Sequence, residues 1–173
     1  MTVVVSHPAV REALATLGIE HEEVPCDPAL ADTAAFCAAY GFDAEDAANC
    51  IVVASRRPAG SHLVAVVLAT TRLDVNGMCC QLMGVRRASF ATPELTAELT
   101  GMEIGGVTPF GLPPSLQPVR VDAAVLTRHR VVVGGGDRSA KLVIDSAVLA
   151  RPPLFEVVDG LAARGGADRG ASS

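Results

Sequence analysis

Aromatic residues are scarce in this sequence, and tryptophan is absent. Aromatic residues make up 3% of the 173 residues, whereas 50% of the chain is hydrophobic, mostly alanine, valine and leucine. Proteins that bind single-stranded nucleic acid along its length stack the bases on aromatic side chains. The composition therefore argues against that class, and it favours a single domain whose aliphatic core needs no disulfide or metal.

Long apolar runs and a leader sequence are also missing. No stretch of 18 apolar residues occurs, and residues 1–14 lack the basic start and long apolar segment of a signal peptide. We therefore predict a cytoplasmic protein that has no membrane partner.

The cysteines are arranged neither as metal ligands nor as a disulfide framework. Their number is odd, no C-x-x-C motif occurs, and no cysteine or histidine pair has the spacing of zinc ligands. This pattern is typical of reduced thiols in a cytosolic protein, most of them buried as small apolar side chains. The five are Cys26, Cys37, Cys50, Cys79 and Cys80. We predict no metal and no other cofactor.

An excess of positive charge is absent as well, since the formal net charge is −5. This excludes a general nucleic-acid coat protein, and we predict no DNA partner. Local basic groups do occur, and the simpler interpretation of each is ordinary solvated charge. They are Arg56–Arg57, Arg86–Arg87, and the group of Arg128, Arg130, Arg138 and Lys141. Contact with one RNA end stays open, because a local positive field does not require a positive total.

The common catalytic and nucleotide-binding motifs are missing. The chain has no P-loop, no G-x-S-x-G and no H-E-x-x-H, and its four histidines are scattered without a catalytic arrangement. Residues 134–139, GGGDRS, do not open a helix, and we interpret them as a turn between two strands.

Hydrophobic periodicity and capping residues predict a mixture of helices and strands. The predicted helices span 7–17, 33–41, 72–84 and 92–101, with one or two more over 146–162. The predicted strands span 19–26, 50–55, 62–69 and 85–91, with a strand, turn and strand over 129–145. These elements favour one α+β domain over residues 1–160, a mixed, mostly antiparallel and partly closed sheet flanked by helices. Residues 161–173 are predicted to form a disordered tail.

Residues 101–111, GMEIGGVTPFG, contain four glycines and one proline directly after a predicted helix. Glycine lets the backbone approach a ligand closely, and successive N–H groups that point one way form a concave site for an oxyanion or phosphate. The residues alone leave a purely structural connection open as the alternative.

The segment TGMEIGGVTPFGLP, residues 100–113, resembles the G-x-x-x-P loop of the YbaK family. Its members are free-standing aminoacyl-tRNA deacylases related to the editing domain of bacterial prolyl-tRNA synthetases. Three other segments, at 32–42, 62–101 and 118–144, resemble the same family in the same order. The resemblance spans about residues 7–155, and it implies a mostly antiparallel, barrel-like β-sheet flanked by helices.

The resemblance implies hydrolysis of the ester that joins a wrongly attached amino acid to the 3′-terminal ribose of a tRNA, without a metal. In the family, N–H groups of the loop hold the substrate carbonyl and stabilise developing negative charge. Here they are implied to come from Gly105, Gly106, Val107 and Thr108, with Pro109 fixing the turn. The expected substrate carries a small amino acid of the Cys, Ala or Ser class. The expected partners are the aminoacyl-tRNA 3′ end and an aminoacyl-tRNA synthetase.

Several positions of the implied site depart from the family pattern. Active relatives carry a lysine where this chain has Asn49, followed by threonine or serine where it has Cys50. Some members have a serine at the position of Gly134 and an aspartate at that of Lys141. An inward-pointing Lys141 would partly restore the missing cation, whereas a lysine on the outer face of its strand is the simpler alternative. The implied substrate-binding residues are Thr33, Asn49, Cys50, Gly101, Gly134 and Lys141.

Three functional hypotheses follow from these residues. The first is a trans-editing hydrolase. The second is a catalytically degenerate member that binds a tRNA end, an aminoacyl-nucleotide or a synthetase without turnover, because the asparagine has no charge to hold a phosphate. The third is hydrolysis of another small ester or amide in the same pocket. A nucleophilic role for Cys50 is disfavoured, because apolar neighbours raise the pKa of a thiol.

Overall fold

The computed structural model of the protein describes residues 7–164. Within this range the α-helices are α1 (Pro8–Leu17), α2 (Thr33–Tyr40), α3 (Cys80–Met83) and α4 (Pro93–Thr100). The strands are β1 (His21–Pro25), β2 (Ala48–Arg57), β3 (Ala59–Leu68), β4 (Thr71–Leu73), β5 (Arg87–Phe90), β6 (Val119–Asp122), β7 (Arg130–Gly134), β8 (Ala140–Asp145), β9 (Phe155–Val158) and β10 (Ala162–Arg164). Short 3₁₀ turns lie at Pro28–Leu30, Ala44–Asp46, Pro114–Leu116, Ala123–Thr127 and Ser146–Ala150.

The described strands form three sheets. A five-stranded sheet has the order β5-β2-β3-β6-β9, a three-stranded sheet has the order β1-β8-β7, and β10 pairs with β4. Pairing is antiparallel except for β3 with β6 and β6 with β9. A parallel bridge from Ala47 to Val132 joins the start of β2 to β7, so the two larger sheets curve around a common core. The predicted α+β class with a mixed, mostly antiparallel, barrel-like sheet is confirmed.

Each of the four described α-helices ends at a glycine in the left-handed conformation, as the sequence predicts. The glycines are Gly18, Gly41, Gly84 and Gly101, with φ between 64° and 76°. The predicted start of α4 is also confirmed, since Thr92 Oγ1 accepts a hydrogen bond from the Leu95 N–H at 3.1 Å and Pro93 occupies the first helical position.

One predicted helical segment is wrong, and a second predicted helix begins too early. Residues 146–162 form a 3₁₀ turn and then β9 and the start of β10, because Pro152 and Pro153 interrupt the helix and the β-branched Val157 and Val158 pair with β6. Residues 72–84 begin as strand β4 and continue as a π-helical turn, Val75–Cys79, before α3. The Asp74 carboxylate starts that turn by accepting the N–H groups of Gly77 and Met78, both at 3.0 Å.

The predicted boundary between domain and tail is placed too early. Leu161 is fully buried, its N–H donates to Asp122 Oδ1 at 3.2 Å, and Ala162–Arg164 pair with β4. The rest of the predicted disordered tail, residues 165–173, lies outside the described residues.

The main core lies between the curved sheets and α1. Its fully buried members include Val10, Leu14, Val64, Leu142 and Ile144. A second cluster packs the outer face of β2 and β3 against α3, and a third packs α2 on β7 and β8 through Phe36. Among residues 7–164, no helix is long and apolar enough to cross a bilayer.

Candidate functional site

The glycine loop, defined here as Gly101–Gly111, connects the end of α4 to the turn before β6. Gly105 has φ 92°, which a side chain would strain, and it is half-buried. The next five residues are buried, and Thr108 is completely so. The loop packs against the turn between β7 and β8, so that it is held by another part of the chain on one side.

Three successive carbonyl groups of the loop are held by donors from the β7–β8 turn and from β8. The Ile104 oxygen accepts from Arg138 Nη1 at 3.0 Å, and the Gly105 oxygen accepts from Lys141 Nζ at 2.7 Å. The Gly106 oxygen accepts from the Gly136 N–H at 2.6 Å. The carbonyl side of the loop is therefore fixed towards the hairpin by two cationic side chains and one amide.

The opposite side of the loop presents N–H groups. In a planar trans peptide the N–H points away from the preceding carbonyl, so the amides of Gly105 and Val107 point away from the hairpin. Within residues 7–164, the N–H groups of Gly105, Val107 and Thr108 donate to no acceptor. Gly106 differs from its predicted role, because its N–H donates to the Glu103 oxygen at 2.8 Å and is engaged in the turn.

Close packing explains why glycine occupies facing positions on the loop and the hairpin. A Cβ at Gly134 would collide with the carbonyl oxygens of Val107 and Gly106, and a Cβ at Gly106 would collide with the backbone of Asp137. The predicted turn at 134–139 is confirmed, and its first glycine also lets the hairpin approach the loop.

Lys141 points inward, which resolves the alternative that the sequence leaves open. The residue is 7% exposed, and its ammonium lies 5.8 Å from the centroid of the Phe36 ring. In the described part of the chain it forms no ion pair. Burial is the main cause that lowers the pKa of Lys141 below its usual 10.5, and the charge of Arg138 adds to this effect while Asp32 opposes it. The site thus holds a buried cation with spare donors.

A second group of side chains connects α2 to the same loop. Asp32 precedes α2 but does not cap it, and its Oδ1 accepts from Arg138 Nη1 at 3.2 Å. The same Nη1 atom also donates to the loop carbonyl at Ile104, so one guanidinium joins α2 and the loop. The next residue, Thr33, donates from Oγ1 to Asn49 Oδ1 at 2.6 Å. This bond fixes the orientation of the Asn49 amide, and the NH₂ group remains able to donate hydrogen bonds to another group.

Some predicted site residues lie apart from this arrangement. Cys50 packs against the main core, and burial strongly raises the pKa of its thiol, so it is unsuited to act as a nucleophile. Gly101 ends α4 and has open space around its Cα. The resemblance did not assign roles to Arg138 and Asp32. Only the run of basic residues at 128–141 pointed to Arg138, and nothing in the sequence linked Asp32 to it.

One polar atom of the loop is buried without a partner. Thr108 Oγ1 forms no hydrogen bond within residues 7–164, although the residue is completely buried. Such a group is unfavourable unless a further partner satisfies it. It lies on the loop whose amides at Gly105 and Val107 are also free of acceptors.

The fold and the loop define the class of α+β editing domains, and comparisons with known proteins agree. A family model, the aminoacyl-tRNA editing domain, matches residues 27–151. The chain belongs to this family, which is also the YbaK family. The resemblance stated from the sequence is thereby confirmed. Among curated protein sequences, none matches the chain significantly.

Solved structures with the same fold include two of similar size. The hypothetical protein APE2540 is 26% identical, with 89% of this chain and 99% of that chain covered and a TM-score of 0.78. A candidate trans-editing enzyme for prolyl-tRNA synthetase is 26% identical, with 95% and 100% covered and a TM-score of 0.78. A candidate signal transduction protein from Marinobacter aquaeolei VT8 is 14% identical with a TM-score of 0.58, and it shares the fold alone. That match covers 94% of this chain and 31% of the other.

Proposed function

We propose that this protein hydrolyses, in trans, the ester bond between a small amino acid and the 3′-terminal ribose of a tRNA. The observation that carries the proposal is the row of acceptor-free N–H groups at Gly105, Val107 and Thr108, beside carbonyls that are already held. Fixed amides are suited to bind an ester carbonyl and to stabilise the negative charge that develops on its oxygen.

In the proposed reaction, the oxygen of a water molecule bonds to the ester carbonyl carbon. The carbonyl oxygen becomes an oxyanion, which accepts hydrogen bonds from the amides of Gly105 and Val107. The bond to the ribose oxygen then breaks, and a proton from the water passes to that oxygen, so the products are the free amino acid and the tRNA. One such donor contributes about 10²–10³-fold in rate in enzymes that stabilise an oxyanion. The buried Thr108 hydroxyl, which has no partner in the described chain, is available to hydrogen-bond the water.

We assign to Lys141 the positive charge that active relatives carry at the position of Asn49. Its ammonium touches the loop at Gly105 and has donors left for a substrate phosphate or for the developing oxyanion. The hydrogen bond from Thr33 orients Asn49 so that its NH₂ donates to the substrate. In this proposal the cation has moved from β2 to β8, on the other side of the site.

We propose the Cys, Ala or Ser class as the amino acid. One similar structure is a candidate trans-editing enzyme for prolyl-tRNA synthetase. Amino acids no larger than proline can enter a synthetase pocket sized for proline, because a pocket discriminates weakly against smaller substrates. The proposed partners are therefore the aminoacyl-tRNA 3′ end and the synthetase that produces the mischarged tRNA.

The second candidate function is binding of a tRNA end, an aminoacyl-nucleotide or a synthetase without turnover. The observation that favours it is Asn49 at the lysine position, since an asparagine amide cannot replace the charge of a lysine. The buried ammonium of Lys141 argues for turnover instead.

Single-turnover deacylation of tRNAs charged with alanine, cysteine or serine tests the proposal. We expect the wild-type protein to exceed the rate in buffer for at least one of them. We expect Gly105→Ala to abolish that excess, because φ 92° strains any side chain there and the new Cβ displaces the Arg138 guanidinium from the Ile104 carbonyl. No excess for any mischarged tRNA, combined with retained tRNA binding, would support the binding function and contradict hydrolysis.

A further inference from the structure

A cleft of about 750 Å³ lies at the far end of β2 from Asn49. We call it the arginine cleft, and its basic lining residues are Arg56, Arg57, His62 and Arg87. The rest of its lining consists of small, polar and apolar residues, Leu95 among them, and no carboxylate lines it. In a chain of net charge −5, such a concentration of positive charge is a local feature.

Within residues 7–164 the arginines of the cleft form no ion pair, a property that they share with the exposed Arg72 and Arg130 and that distinguishes them from three half-buried arginines. Arg120, Arg128 and Arg138 each form an ion pair with a carboxylate. Over residues 7–164, the side chains of Arg56, Arg57, Arg86 and Arg87 form neither an ion pair nor a hydrogen bond, and all four are exposed.

The pairing of the strands forces these charges together. Arg57 on β2 lies opposite Arg87 on β5, and the Arg86 N–H donates to the Arg57 carbonyl at 2.7 Å. Like charges directly opposite each other across a ladder repel, which destabilises the fold slightly. An arrangement that keeps them together without a counter-charge fits a surface that receives an anionic partner.

The cleft is connected to the glycine loop in two ways. Leu95 lines the cleft and lies on α4, which leads to Gly101, the first residue of the loop. The distance along the helix from Leu95 to Gly101 is about 9 Å, at 1.5 Å per residue. Along β2, Arg56 and Arg57 lie about 25 Å from Asn49 at 3.3 Å per residue. A ligand that contacts both Arg56 and Asn49 must therefore span about 25 Å.

We infer that the arginine cleft binds the sugar–phosphate backbone of the tRNA acceptor stem while its 3′ end occupies the glycine loop. The inference rests on the proposed function for the identity of the RNA. Guanidinium groups suit phosphates because their planar donors match two oxygens at once. None of the exposed large hydrophobic residues lines the cleft, so the apolar insertion that a membrane surface requires is missing there. Recognition is of the duplex backbone and carries no base sequence.

The test is the salt dependence of binding to an uncharged acceptor-stem minihelix. Each phosphate contact that is lost reduces the slope of log K against log salt by about 1. We expect Arg56→Gln/Arg87→Gln to reduce the slope by about 2 and to weaken binding at low salt. The matched control is Arg130→Gln, an exposed arginine at the start of β7 in another sheet, which we expect to leave the slope unchanged. An unchanged slope in the double variant, or an equal loss in the control, overturns the inference.

A short probe separates the cleft from the catalytic site. The trinucleotide CCA spans only about 10 Å when stacked, which is less than the roughly 25 Å between Asn49 and Arg56. We expect the double variant to bind CCA like the wild type, whereas an equal loss for CCA and the minihelix contradicts the assignment. Tighter wild-type binding to phosphatidylserine vesicles, or loss of synthetase binding with minihelix binding retained, also overturns it in favour of a membrane or a protein partner.

Deacylation kinetics distinguish failure of this inference from failure of the proposed function. If mischarged tRNA is hydrolysed, we expect the double variant to raise KM with kcat unchanged, because the cleft lies away from the reacting ester. A drop in kcat with KM unchanged would overturn the inference and leave the deacylase proposal standing. If no mischarged tRNA is hydrolysed, the proposed function fails, and the slopes measured with the uncharged minihelix still decide whether the cleft binds RNA.

Discussion

The ammonium of Lys141 donates a 2.7 Å hydrogen bond to the carbonyl oxygen of Gly105. This contact joins the middle of the three-stranded sheet to the glycine loop, two parts of the chain that are 36 residues apart. It fixes the peptide between Gly105 and Gly106, and it places a buried positive charge next to free backbone amides. The cation therefore both positions the loop and contributes to the electrostatic field in which an oxyanion would form.

The first prediction concerns exchange of this charge between two positions. We expect Lys141→Met to lower the single-turnover deacylation rate about 100-fold, because a site that stabilises negative charge loses its cation. Adding Asn49→Lys to that variant restores part of the rate, since it returns a positive charge to the position at which the family resemblance implies a lysine. In the wild-type background, Asn49→Lys raises the rate. A double variant as slow as Lys141→Met alone would show that Lys141 acts only by holding the Gly105 carbonyl.

The second prediction concerns Gly134, where the hairpin meets the loop. Its Cβ in Gly134→Ala would collide with the carbonyl oxygens of Gly106 and Val107, so the loop must shift and its amides lose their alignment. We expect loss of at least about 100-fold in deacylation rate, comparable with removal of an oxyanion donor.

The matched control for Gly134 is Gly18, which ends α1. It has φ 64° and open space around its Cα, so Gly18→Ala strains only the backbone. We expect it to lower the free energy of unfolding by about 1–2 kcal/mol without changing the deacylation rate. Denaturant unfolding of both variants separates the two effects. Equal rates for Gly134→Ala and the wild type would contradict the proposed role of the loop.

The third prediction concerns orientation of the Asn49 amide. Thr33→Val keeps the shape of the side chain and removes the hydroxyl that donates to Asn49 at 2.6 Å. We expect the deacylation rate to fall about 2- to 10-fold, the effect of one neutral hydrogen bond. Thr127→Val is the control, because its hydroxyl also forms a 2.6 Å bond, to the Ala124 carbonyl, but belongs to an exposed turn. Equal changes in rate for both variants would remove Thr33 from the site.

Local chemistry made parts of this fold predictable from the sequence. Helix α4 has a threonine cap, a proline at its first position and a glycine after its last, and these residues act on their immediate neighbours. Strand β9 gave no comparable signal, because it forms by pairing with β6, more than thirty residues earlier in the chain. Local pattern cannot reveal a partner at that separation.

The same distinction applies to the site. The glycine loop is a continuous segment, so its composition and its resemblance to a family identify it. The contacts of Arg138 with Asp32 and Ile104 join residues that are 106 and 34 positions apart, and no spacing rule connects them. The inward direction of Lys141 was equally undetermined, because every position of a strand buried on both faces points into some part of the interior.

The fourth prediction concerns stability at alkaline pH. Burial, with smaller contributions from Asp74 and Cys80, raises the pKa of the Cys79 thiol from 9.0 to about 12. Above pH 9.0 the unfolded chain loses this proton while the folded chain keeps it, so the folded state becomes less stable as the pH rises towards about 12. The loss is at most about 1.4 kcal/mol per pH unit.

Cys79→Ala and Cys79→Val both lack the thiol but differ in packing, so they start from different stabilities. We expect urea unfolding between pH 9 and 11 to show the same reduced pH slope in both variants, and a slope equal to that of the wild type in either would rule out Cys79 as the group responsible.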